Sequence, residues 1–218
     1  MRGIAARGSL LSSRMALVFP TLRRNLEWWS VHGPPPAGSG LEPAAQGREC
    51  KPIASPDAHA ANLTLPGSGI EYEYYLGMGL QLHVNATFGS VNAALDQNTL
   101  AAVAQAELTL DEMLPLASDR DGLLTLEYEF PFAGAEPPWT SGLSQATAIE
   151  ALTNAATKLA RPDYLATAVR LADLFATPPP VGVRLRVAGG DWFLRLGQTS
   201  RLCATATSFK HTSLSANS

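Results

Sequence analysis

Residues Ser141–Phe175 read SGLSQATAIEALTNAATKLARPDYLATAVRLADLF. The stretch is two helices and a break. Thr140 or Ser141 can cap the first by accepting a backbone N–H. That helix is expected to run to about Ala160, with Leu143, Ala146, Ile149, Leu152, Ala156 and Leu159 on one stripe. Arg161-Pro162-Asp163 punctuates. A second helix is expected from Asp163 to Phe175, with Leu165, Val169, Leu171, Ala172 and Phe175 apolar, and Pro178-Pro179-Pro180 stops it. Two helices joined by so short a break must fold back on each other as a helical hairpin.

The flanks repeat the theme. Residues 91–118 predict one long helix, with Val91, Leu95, Val103, Ala106, Leu110 and Met113-Leu114 on one face and Pro115 near its end. Residues 21–32 predict a short helix ending in Trp28-Trp29. Leu123–Phe130 alternates like a strand, and Val181–Leu196 reads as a hairpin turning at Gly189-Gly190. The expected fold is mainly α, built of helical hairpins with short β-hairpins between them. Such units occur in α/α toroids and solenoids, although no exact repeat is visible.

The chain has 218 residues, a net charge of −3 and only 16% charged residues. This charge balance excludes a nucleic-acid binder driven by bulk positive charge. No segment reaches the roughly 18 apolar residues of a membrane span. Arg14 and Pro20 interrupt the apolar N-terminal run, so no convincing signal peptide is read and a soluble protein is expected. Residues 1–20 are a lead-in. Residues 21–196 form the domain, and within it 33–69, rich in Pro, Gly, Ala and Ser, are expected to form an extended loop. Residues 197–218, rich in Ser and Thr, read as a disordered or out-of-frame tail. Cys50 and Cys203 could pair, but nothing demands it.

No phosphate-binding loop, HExxH or GxSxG motif occurs, and no metal or organic cofactor is expected. His32, His59, His83 and His211 are isolated in sequence, and His83 reads as a structural histidine. Glu127 and Glu129 flank Tyr128 on a predicted strand. A carboxylate beside a phenol can do proton chemistry, while the plainer reading is a solvent-facing edge strand. Aromatic residues gather at turns and strand ends: Trp28-Trp29, Tyr72, Tyr74-Tyr75, Tyr128, Trp139 and Trp192-Phe193. Such side chains can stack on sugar rings, or simply pack helix ends.

Glu136-Pro-Pro-Trp-Thr-Ser-Gly-Leu-Ser-Gln-Ala-Thr-Ala-Ile-Glu-Ala-Leu152 resembles a hallmark of the D-glucuronyl C5-epimerase C-terminal domain. The matching positions are Pro138, Trp139, Ser141, Gly142, Gln145 and Ala148, while Ala146 departs from the usual Gly. Tyr74–His83, Phe88-Gly89 with Asn92, Pro179–Arg184 and Gly190–Phe193 continue the resemblance to bacterial members, over about residues 21–194. The resemblance implies a partial α/α toroid that handles uronic-acid polysaccharides. It also implies a reaction that removes the C5 proton of a glucuronyl unit and returns one from the opposite face. That chemistry needs two proton-transfer groups, a tyrosine and a glutamate in the family, and neutralisation of the carboxylate.

After Phe193 the chain reads Leu194-Arg-Leu-Gly-Gln198, and the family's catalytic segment has no counterpart. No catalytic residue is carried over. The expected substrate-cleft wall is Trp139, Gln145 and Trp192, with Tyr128 and Glu127 as weaker candidates. The expectation is an epimerase-like chain acting on uronic-acid polysaccharide, inactive by itself. A non-catalytic carbohydrate-binding domain and another toroidal lyase or hydrolase are the alternatives. Helix faces left without partners would favour homo-oligomers.

Overall fold

A computed structural model describes residues 13–32, 63–75, 78–132 and 135–195. The expected tail, most of the 33–69 excursion and both cysteines lie outside the described residues. In chain order the elements are helix α1 (Ser13–His32), strands β1 (Leu63–Thr64), β2 (Glu71–Tyr75) and β3 (Gly79–Leu82), and helices α2 (Val84–Gln97) and α3 (Leu100–Met113). A short 3-10 turn (Leu114–Leu116) follows, then β4 (Ser118–Arg120), β5 (Leu123–Thr125), β6 (Glu127–Tyr128) and β7 (Trp139–Thr140). Helices α4 (Gly142–Lys158) and α5 (Pro162–Ala176) and the hairpin β8 (Arg184–Val187) and β9 (Gly190–Phe193) complete the described chain. The fold is mainly α with short antiparallel β-elements, as the sequence implied.

The core is made by two helical hairpins, α2–α3 and α4–α5, with α2 against α4. The polar contacts between α2 and α4 give their relative direction. Asn85 meets Thr147 at one end, Asn92 meets Glu150 and Asn154 in the middle, and the Lys158 ammonium donates to the Leu95 carbonyl at the other end. Positions advance together along both helices, so α2 and α4 run parallel and begin at the same end of the fold. Each is followed by an antiparallel partner.

The expected helix over 91–118 is two helices. Asn98 takes a left-handed conformation (φ 54°) and Thr99 caps α3 by accepting from the Ala102 N–H. Apolar periodicity continued across this break because both helices bury the same side of the hairpin. The stripes assigned to the other hairpin also shift. In α4 the buried positions are Ala148, Ala151, Leu152 and Ala155 rather than Leu143 and Ala146. In α5 they are Tyr164, Ala168, Leu171 and Leu174, while Leu165 and Val169 are exposed. An alanine-rich helix packs its small side so that its neighbours can approach closely, and a count of large apolar residues points elsewhere.

Helix α1 extends the expected 21–32 helix back to Ser13 and passes through Pro20. The proline removes one internal hydrogen bond. Tertiary anchoring offsets that loss: Leu17 is buried, and the buried Asn25 amide grips the edge of β3, donating to the Leu80 carbonyl at 2.7 Å and accepting from its N–H at 2.7 Å. Gly79 begins β3 with φ +77°, and a Cβ there would sit 2.1 Å from Asn25 Oδ1, so the clamp requires glycine.

The expected strand over 123–130 is interrupted at Leu126. Its N–H and C=O both leave the ladder for one side chain, Gln145 of α4, whose Oε1 accepts from the N–H (3.2 Å) and whose Nε2 donates to the carbonyl (2.8 Å). Strands β4 and β5 pair with each other, and β6 pairs with β7 instead. The start of α4 is closed by the β8–β9 hairpin. Leu194, just after β9, accepts from the Gly142 N–H, and a Cβ on Gly142 would lie 2.6 Å from that carbonyl.

Candidate functional site

The chemistry gathers where α2 and α4 begin. Residues two apart on a strand share a face, so β2 presents Glu73 and Tyr75 together. The Tyr75 hydroxyl donates to Glu73 at 2.7 Å. Strand β3 then delivers His83 to the cap position of α2, where its Nδ1 accepts the Ala86 N–H at 3.0 Å. In the neutral ring the remaining proton therefore sits on Nε2, which faces the Glu73 carboxylate at 3.4 Å. His83 is the structural histidine expected, and it is also the neighbour of a carboxylate.

Beside this trio stands Tyr128, from β6. Its cross-strand partner on β7 is Trp139, and the two rings stack at 4.1 Å with planes 9° apart. The Tyr128 hydroxyl shares a hydrogen bond with Ser144 (2.8 Å) and accepts from the Asn85 N–H (3.2 Å). Hence it touches the first turns of both α4 and α2. The rings of Tyr75, Phe130 and Phe132 complete the cluster, and the Trp139 indole N–H donates to the Phe130 carbonyl at 2.6 Å.

Four of the five residues expected from sequence are brought together here, but inside the fold. Gln145 is 0% exposed, Glu127 1%, Tyr128 4% and Trp139 4%. Gln145 serves the Leu126 backbone, as described above. Glu127 is not on a solvent-facing edge. It accepts from Arg120 Nε at 2.7 Å, and the same guanidinium donates to the Pro138 carbonyl at 3.1 Å and the Pro180 carbonyl at 3.4 Å. Arg120 thereby ties β4, β6 and two proline-rich loops together, which explains why a glutamate can be buried at this point. Trp192 is placed apart from the four, on β9, half-buried opposite Leu185 of β8.

Glu73 was not singled out from the sequence, and Tyr75 stood there only as one of the aromatic residues. The available signal was their spacing of two within Glu71–Tyr75, which places both on one face. What the sequence could not say was that His83, just after β3, would close against them. The parallel starts of α2 and α4 add partial positive charge at this end, which favours anionic groups. Carboxylate, imidazole and phenol in mutual contact can pass protons. Among the described residues, no group of three or more His, Cys, Asp or Glu side chains could hold a metal ion.

Burial pushes the Tyr75 phenol well above its ordinary value, and its bond to the Glu73 carboxylate adds to the shift. Burial likewise raises Tyr128 and Tyr72. Phenols whose folded values are raised contribute stability that is intact below their unfolded value of about 10 and is lost as pH rises above it. Each contributes a loss of about 1.4 kcal/mol per pH unit once the unfolded chain ionises and the folded one does not. Alkaline unfolding should therefore begin near pH 10, with tyrosinate absorbance and loss of helical circular dichroism rising together. Full tyrosine ionisation near pH 10 with the helical signal intact would contradict this.

The geometry defines a helical-hairpin protein with a buried aromatic cluster and, at one end, the Glu73 carboxylate in contact with Tyr75 and His83. Residues 119–201 match the family model described as the D-glucuronyl C5-epimerase C-terminus. The matched segment opens with β4 and covers Arg120, the Leu126 clamp, the Tyr128–Trp139 stack, the α4–α5 hairpin and β8–β9. Over this segment the chain is similar to the C-terminus of the D-glucuronyl C5-epimerases. No curated protein and no solved structure matches the chain. No helix among the described residues is long and apolar enough to cross a membrane.

Proposed function

We propose that this chain is a D-glucuronyl C5-epimerase-like protein that binds a uronic-acid-containing polysaccharide at the end where α2 and α4 begin, without turning it over on its own. Two features support binding there: two parallel helix N-termini that favour a carboxylate, and the similarity of residues 119–201 to the epimerase C-terminus. One observation favours the non-catalytic form. Both phenols at this end are buried and engaged inside the protein, Tyr75 with Glu73 and Tyr128 with Ser144. A phenol that must accept or deliver a C5 proton has to reach the sugar.

A second reading is epimerisation proper, with Glu73 and Tyr75 as the exchanging pair and His83 behind Glu73. It rests on a carboxylate base and a protonated acid at the same end of the fold, whose 2.7 Å bond has to open for the sugar to come between them. One experiment separates the two. The full chain is incubated in D₂O with a glucuronyl polysaccharide, and binding is followed by calorimetry. Saturable binding without deuterium at C5 is expected. Deuterium at C5 that disappears in Glu73→Gln would establish the second reading, and absence of binding would remove both.

Self-association is part of the same proposal. Phe19, Leu22 and Leu26 on α1, and Leu165 and Val169 on α5, are exposed at helical spacings. A monodisperse monomer at high concentration would count against it.

A further inference from the structure

A cavity of about 410 Å³ lies beside the start of β2, where that strand meets α2, α3 and the Thr64–Gly69 turn. Its floor is apolar: Val91 and Ala94 of α2 and Ala106 of α3. Its walls are polar: Glu71 on β2, Ser90 on α2, Gln105 and Thr109 on α3, and the Thr64–Gly69 turn.

The walls are held in place from behind. The Ser90 hydroxyl donates to the Glu71 carboxylate, and the Glu71 N–H is fixed by the Thr87 hydroxyl. Glu112 accepts from both the Ser68 hydroxyl (2.7 Å) and the Gly69 N–H (3.0 Å), which pins the turn to α3. A Cβ on Gly69 would fall 1.8 Å from Thr109 Oγ1, so only glycine lets the turn approach this closely. A preformed concave site with an apolar floor and a few convergent polar groups is the usual form of a small-molecule site.

The lining selects the ligand. No Lys, Arg or His lines the cavity among the described residues, and its one ionisable group is the Glu71 carboxylate. An anion would meet that negative charge. An uncharged pyranose suits it: ring C–H groups can lie on Ala94, and ring hydroxyls can donate to Glu71 and exchange bonds with Gln105 and Thr64. A hexose fits well within the volume. We propose that this cavity is a binding site for a neutral monosaccharide unit, distinct in charge preference from the uronate-binding end. Glu71 and Glu73 are two residues apart on β2, about 7 Å at the usual strand rise. The inference rests on the cavity alone and stands or falls separately from the uronic-acid reading.

The test uses the full chain and three probes of one size: methyl β-glucoside, glucosamine and glucuronate, each titrated by ligand-observed NMR. Methyl β-glucoside should bind with a dissociation constant in the millimolar range, and glucuronate at least tenfold more weakly. Ala94→Leu, which fills the floor, should weaken methyl β-glucoside binding at least tenfold. Glu71→Gln keeps the shape and removes the charge, and should bring glucuronate to within about threefold of the glucoside. Thermal melting of each variant checks that it folds. Absence of glucoside binding, equal binding of glucuronate to the unmodified chain, or an Ala94→Leu variant that melts normally and binds normally would each overturn the proposal. Tighter binding of glucosamine than of the glucoside would overturn the neutral assignment in favour of an amine.

Discussion

Trp139→Ala should lower the unfolding free energy by about 3–5 kcal/mol, the usual cost of deleting a large buried aromatic side chain. The indole is stacked on Tyr128 at 4.1 Å and on Phe132 at 5.7 Å, and it meets Phe130 edge-on. Its removal empties the middle of that group and leaves the Phe130 carbonyl without its indole donor. Trp139→Phe should recover most of the packing and leave a residual cost of about 1–3 kcal/mol for the lost N–H. Denaturant unfolding measures both. If Trp139→Ala costs less than about 1 kcal/mol, the stack contributes little, and the wall role expected of Trp139 regains ground.

Arg120→Met should cost a similar amount, about 3–5 kcal/mol, because it takes the guanidinium away from a buried carboxylate. Glu127 has no exposed side-chain surface, and it accepts from Arg120 Nε at 2.7 Å. The loss corresponds to a fall in melting temperature of about 6–20 °C for a chain of this size. The double variant Arg120→Met with Glu127→Gln should be more stable than Arg120→Met alone, since the charge is then gone. A double variant no better than the single one would mean that the Pro138 and Pro180 carbonyls, rather than Glu127, are what Arg120 holds.

Both predictions concern residues that the sequence marked as a cleft wall or an exposed strand. Trp139 and Gln145 stood out because they sit in the stretch that resembles the epimerases, and Tyr128 and Glu127 because a phenol and a carboxylate adjoin. The structure places all four in the interior. Gln145 supplies two hydrogen bonds to Leu126, Trp139 carries a stack, and Glu127 is neutralised by Arg120. A motif of this kind can persist for folding as much as for contact with a glycan. A sequence pattern cannot separate the two, because burial depends on what is packed on the other side.

What the sequence determined by itself is local. The α4–α5 hairpin followed from Ser141, from helical periodicity and from the Arg161-Pro162-Asp163 break. The β8–β9 hairpin followed from Gly189-Gly190. Capping, turn geometry and period act over a few residues and are written in those residues. The tertiary structure alone decided how these pieces meet. Asn85 finds Thr147, Asn25 finds Leu80 and Lys158 finds Leu95 across more than fifty residues of chain. These contacts make α2 and α4 parallel, bring His83 to Glu73 and Tyr75, and turn Leu143 of α4 and Leu165 and Val169 of α5 outward. The reason is physical: hydrophobic burial is non-directional, so periodicity says that a face is buried but not against what. Long-range hydrogen bonds between groups that must be satisfied once buried then select one arrangement.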